Sequence, residues 1–223
     1  MSICASRTRC ARLLTTAATA LALVAGCSSR SASSPPGRAP AEAPASDALF
    51  QEWYESGRYN EVVSRVTTAA VTDVGPEALW LAAHSNLRLG RMNEAATLFR
   101  QLGAPDADPA WQVTAQLALA DNTDGDARAR QAASAFPDNP TVQYELGLAA
   151  ARGRDFAAAA QAFERSIAAD PTFAYAYYYA GLAYDRLRRA DLMASRFDTF
   201  LRLAPQAPER PEVDSILRTV RGQ

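Results

Sequence analysis

The chain has 223 residues, 48% hydrophobic and 21% charged, with a formal net charge of −1 and only arginine among its 23 basic residues. That is enough apolar material for the core of one sizeable domain, and it excludes a chain disordered throughout. It also excludes a nucleic-acid binder resting on surplus positive charge; with cysteines only at positions 4, 10 and 27, it leaves no disulfide framework or cysteine-based metal site in the folded part.

The first 26 residues carry Arg7, Arg9 and Arg12, then an apolar stretch from Leu13 to Gly26, then Cys27. This is the layout of a secretory signal peptide, and about 14 apolar-leaning residues are too few to span a ~30 Å hydrocarbon core. Removing it takes away three arginines and no acid, which moves the net charge from −1 to −4. The closing residues Leu23-Val24-Ala25-Gly26-Cys27 resemble the lipobox of bacterial lipoproteins. The resemblance implies cleavage before Cys27, which frees its amine, and a diacylglyceryl group, with fatty chains such as palmitate, on its thiol. Ser28, rather than aspartate, then implies the outer membrane, facing the periplasm. The alternative is an ordinary secretory signal with Cys27 incidental.

Residues 27–45 form a Ser/Pro/Ala-rich stretch without a large apolar side chain. It cannot bury enough surface to offset the entropy of ordering, so it reads as a flexible tether of about 20–25 Å. From residue 46 to 207 the sequence is rich in alanine, leucine and arginine and poor in strand-forming clusters, which favours an all-α domain.

Punctuation in this domain recurs. Gly75-Pro76, Asp108-Pro109, Asn139-Pro140 and Asp170-Pro171 mark helix starts with proline spacings of 33, 31 and 31. Between them Gly57-Arg58, Gly90-Arg91, Gly125-Asp126 and Gly153-Arg154 divide each interval into two helix-length halves. Two helices per unit of about thirty residues is the signature of a solenoid.

The residues resemble the tetratricopeptide repeat (TPR). Unit 140–173 carries Leu146-Gly147, Ala159, Phe163, Ser166 and Pro171 in the family's order, and unit 174–207 carries Tyr177, Gly181, Tyr184, Phe197 and Pro205. Met193 and Phe200 stand where that family has small residues, which predicts wider packing of the last pair. Units near 45–72, 76–107 and 109–138 are more degenerate, the third with a shortened second helix. Residues 208–223 supply Val213, Ile216, Leu217 and Val220 at helical spacing and read as a capping helix. The expected fold is thus a TPR-like solenoid of about five helix-turn-helix units plus a cap.

Chemistry is sparse. His84 is the sole histidine, so a metal site lacks ligands, and no cofactor motif is present. Asp121 to Asp126 has its glycine at the fifth place and no carboxylate at the twelfth, so it reads as an inter-helix turn rather than a calcium loop. No nucleophile motif singles out a catalytic serine.

What the resemblance implies instead is a concave groove lined by the first helix of each unit. Carried onto this sequence, the lining residues are Trp80, His84 and Arg88, then Tyr144, Leu148 and Arg152, then Tyr175, Tyr178, Leu182, Asp185 and Arg186. Aromatic and arginine side chains on one face suit a protein or peptide partner. Trp80, Tyr144 and Tyr178 fit either the groove or inter-helix packing, whereas Tyr177, Tyr179 and Tyr184 are read as packing. The functional expectation is a non-enzymatic interaction scaffold anchored in the bacterial envelope; the alternative is a soluble periplasmic or secreted repeat protein with an enzymatic or cell-wall role.

Overall fold

The computed structural model describes residues 47–68, 74–120 and 124–222. The signal segment, Cys27, the tether and the Asp121–Thr123 part of the acidic turn lie outside them. All the regular elements among the described residues are α-helices: α1 (Asp47–Glu55), α2 (Tyr59–Thr68), α3 (Pro76–Arg88), α4 (Met92–Leu102), α5 (Pro109–Leu119), α6 (Asp124–Ala133), α7 (Pro140–Arg152), α8 (Phe156–Ala169), α9 (Ala174–Arg186), α10 (Ala190–Leu203) and α11 (Arg210–Arg221). Successive pairs pack as hairpins that stack on their neighbours, with α11 against α10, so the chain is an all-α solenoid. No described helix is long and apolar enough to cross a membrane.

The helix starts follow local chemistry. Proline occupies the first turn of α3, α5 and α7, where its missing N–H costs nothing. Asp108 accepts from the Ala110 N–H, Asn139 from the Val142 N–H and Asp155 from the Ala158 N–H. Pro171 departs from the expected pattern, because α9 begins three residues later, at Ala174. Asp170 does not cap α9; its Oδ1 accepts from both the backbone N–H and the hydroxyl of Thr172, making a turn of its own. The turns inside the hairpins need a left-handed residue. Gly57 and Gly90 supply it in the first two, but Arg154 (φ 62°) and Arg188 (φ 61°) do so in the fourth and fifth, so Gly153 marks that turn without making its left-handed step.

Burial separates two layers. The second helix of a hairpin buries one stripe, as α4 does with Ala95, Phe99 and Leu102. The first helices are buried nearly all round: α3 hides eight of its 13 residues and α9 another eight of 13. A helix that offered one face to an open groove would hide fewer, so the inner layer has neighbours on both sides. The layers meet at glycines. A Cβ on Gly147 would lie 2.5 Å from Phe163 Cε1, and a Cβ on Gly181 would lie 2.5 Å from Phe197 Cε1. The last pair therefore closes as tightly at this crossing as the pair before it, despite Met193 and Phe200; both side chains are buried instead in the space beside it.

One apolar cluster runs from Phe50 in α1 to Leu217 in α11. A smaller one, built from Val113, Leu117, Ala129, Ala133, Val142 and Ala149, holds the third hairpin to α7.

Candidate interaction groove

The expected groove divides into a filled centre and an open end. At the centre Trp80 and His84, one turn apart on α3, both face Glu145 of α7. The Trp80 Nε1–H donates to Glu145 Oε1 at 2.9 Å, and His84 Nε2 hydrogen-bonds to the same oxygen at 2.5 Å. Glu145 is fully buried and His84 is only 6% exposed. Burying a carboxylate is costly unless it is bonded, and the indole and imidazole supply those bonds from 65 and 61 residues away. Around this core the rings pack edge to face: Trp80 against His84, Tyr144 and Phe173 at 4.8, 5.6 and 5.7 Å.

A second network closes the superhelix on itself. Arg88 Nη1 pairs with Glu209 Oε1 at 2.8 Å, Tyr175 donates its hydroxyl to Glu209 Oε2 at 2.9 Å, and the Arg88 guanidinium lies 5.1 Å from the centre of the Tyr175 ring. Tyr54 of α1 meets Tyr175 of α9 at 5.1 Å, and a Cβ on Gly57 would lie 3.3 Å from Pro208 Cγ. The first hairpin thus touches the last. Burial pushes the Tyr54, Tyr144 and Tyr175 phenols well above their ordinary value, and Tyr178 up to about 12, so these hydroxyls stay protonated at neutral pH.

This corrects the sequence expectation for five residues. Trp80, His84, Tyr144, Tyr175 and Tyr178 are core, not a solvent-lined groove, because the tight coil brings hairpins two, four and five into mutual contact. Arg88 is half-buried and committed to Glu209. Tyr177 packs as read, its hydroxyl donating to the Pro171 carbonyl. Sequence reasoning passed over Glu145 and Glu209; an acid inside the otherwise apolar run of α7 was the available signal for the first.

The other five expected residues do come together. Leu148, Arg152, Leu182, Asp185 and Arg186 line an open cleft of about 500 Å³ at the C-terminal ends of α7 and α9. Phe156, Phe163, Tyr179 and Ile216 complete its apolar walls, and Glu212 adds to the charged rim. Arg186 lies 5.9 Å from the centre of the Phe156 ring, and Arg152 donates to the Leu117 carbonyl at 2.6 Å, so both rim arginines are held in place. The α11 residues Glu212 and Ile216 form one wall, so the capping helix builds part of the site.

Comparison with known proteins agrees with this architecture. The tetratricopeptide repeat family model matches residues 112–172 and 152–208, which supports the repeat reading across the second half of the chain. A tetratricopeptide protein of Thermus thermophilus, TTC0263, superposes with a TM-score of 0.51 at 21% identity, covering 76% of this chain and 96% of that one. MamA of AMB-1 is more distant, with a TM-score of 0.39 at 16% identity over 75% of this chain and 96% of its own. No curated protein sequence is matched. The solenoid fold is therefore shared with the Thermus thermophilus tetratricopeptide protein, and this repeat type generally serves protein interaction.

Proposed function

We propose that the chain is a non-enzymatic scaffold that holds a protein or peptide partner in the cleft between α7, α9 and α11, and that it is tied to the bacterial envelope by lipid on Cys27. The observation that carries the scaffold reading is the cleft itself. It has an apolar floor of Leu148, Leu182 and Ile216 inside a rim of Arg152, Arg186, Asp185 and Glu212. Apolar floor with charged rim is the anatomy of a protein interface, where the floor supplies affinity and the rim selects orientation. The anchor rests on the Leu23–Cys27 lipobox, and the outer-membrane address on Ser28. An analogy of fold and anchor with repeat lipoproteins that assist assembly of envelope complexes extends the reading to that role.

Two measurements test the two halves separately. Arg186 is exposed, so Arg186→Glu should alter stability by about 0.5 kcal/mol or less while reducing recovery of the crosslinked partner at least tenfold. Unchanged recovery with the variant sinks the cleft as the docking site. For the anchor, cells fed radiolabelled palmitate should label the wild-type chain and not Cys27→Ser. Label that survives the substitution, or no label at all, removes the lipoprotein reading.

A further inference from the structure

At the opposite end of α7 and α9 from the cleft, a second pocket of about 260 Å³ opens where the first turns of α3 and α7 meet α1 and the start of α9. Tyr54, Trp80, Trp111 and Phe173 are among its lining residues; Trp111 is only half-buried, while the other three show little more than an edge. Three carboxylates share the same lining, Glu55, Glu77 and Asp170. Among the described residues none of the three pairs with an arginine: Glu55 accepts only from the Gln51 amide, and Asp170 only from Thr172.

This arrangement costs the free protein stability. Burial, and after it the nearby Asp170, pushes the Glu55 carboxyl above its ordinary value. Burial, then Asp47, then Asp170 do the same for Glu77. The first turns of α3, α7 and α9 each bring roughly half a positive charge to this end, about +1.5 in all against three full negative charges, so the surplus stays negative. Aromatic faces add more negative potential.

One ligand group answers all of this. A cation relieves the carboxylates, and a planar cation uses the ring faces as well. Guanidinium is planar and more weakly hydrated than ammonium, stacks on aromatic rings and bonds carboxylates in pairs. The pocket is smaller than the ~300–1,000 Å³ typical of whole small-molecule sites, which suits a single side chain. We propose that this pocket takes an arginine side chain of a partner protein, its guanidinium seated against Trp111 and the Glu55, Glu77 and Asp170 carboxylates. The site is independent of the α7–α9–α11 cleft, and either can fail without the other.

The test titrates the full chain with the blocked tripeptide acetyl-Gly-Arg-Gly-amide and its lysine and citrulline counterparts, reading tryptophan emission, since Trp80 and Trp111 line the pocket. The arginine peptide should give a saturable change, the lysine peptide a weaker one and the neutral citrulline peptide none. Glu55→Gln/Glu77→Gln should bind the arginine peptide at least tenfold more weakly, while Arg186→Glu binds it as the wild type does. Because both carboxyls are held above their ordinary value, their charge penalises the fold above that raised range and not below the ordinary one, so the glutamine variant should melt no lower than wild type at neutral pH. No saturable change with the arginine peptide, equal binding of the lysine or citrulline peptide, or undiminished binding by a folded glutamine variant overturns the proposal.

Discussion

Replacing Trp80 with alanine is expected to lower the stability of the domain by about 3–5 kcal/mol, the range for removing a large buried aromatic side chain. For a domain of this size that corresponds to a fall of roughly 6–20 °C in Tm. The ring is 3% exposed and touches His84, Tyr144 and Phe173 edge to face, so its loss opens a cavity that rings from α3, α7 and the turn before α9 must collapse to fill. It also strips Glu145 of one of its two hydrogen-bond partners. Trp80→Phe, which keeps a ring but not the N–H, should cost less, about 1–3 kcal/mol. Chemical denaturation of both variants checks this. A Tm unchanged by Trp80→Ala would mean that the inner face is open after all, and the sequence expectation of a solvent-lined groove would stand.

That contrast shows where the sequence stops being informative. Helix content, hairpin spacing and the inward face were all legible, since proline caps, turn residues and the small residues Gly147, Gly181 and Ala159 act within or between adjacent helices. The residues Trp80, His84 and Arg88 do share a face, as their spacing on α3 requires. Whether that face meets water depends on how tightly the superhelix coils. The coil is set by contacts between hairpins that are not neighbours in sequence, such as Tyr54 with Tyr175, and periodicity is blind to those pairs.

The C-terminal half of the expected face stays open because it lies beyond the tight centre. Leu148 comes a turn after the buried Tyr144 on α7 and Leu182 a turn after the buried Tyr178 on α9, and α11 stands against them rather than another inner helix. The acidic pocket was invisible for the same reason as the core. Glu55, Glu77 and Asp170 belong to three different hairpins and read individually as ordinary surface acids; only the fold places them around Trp80 and Trp111. Pro171 misled in a simpler way. Its spacing repeats that of the helix-starting prolines, but Asp170 spends its carboxylate on Thr172 and delays α9 by three residues.

Glu145→Ala should be as damaging as Trp80→Ala, about 3–5 kcal/mol, because it removes the shared partner of two buried groups while leaving the indole N–H and the imidazole in place. Glu145→Gln retains an acceptor oxygen and should cost less. The decisive measurement is a double-mutant cycle with His84→Ala. Residues that share a buried bond are expected to be coupled by about 0.5–3 kcal/mol, so the double variant should be less destabilised than the sum of the singles. Additivity within about 0.3 kcal/mol would show that the His84–Glu145 contact contributes nothing beyond packing. Glu145 joins the second hairpin to the fourth across the centre of the coil, so its loss should act beyond its own helix. Hydrogen exchange in α3, where Trp80 and His84 lose their anchor, should quicken more than in α10, which buries Met193, Phe197 and Phe200 without touching the network. The same bond thus holds the inner face closed at its middle, between the open cleft at one end and the acidic pocket at the other.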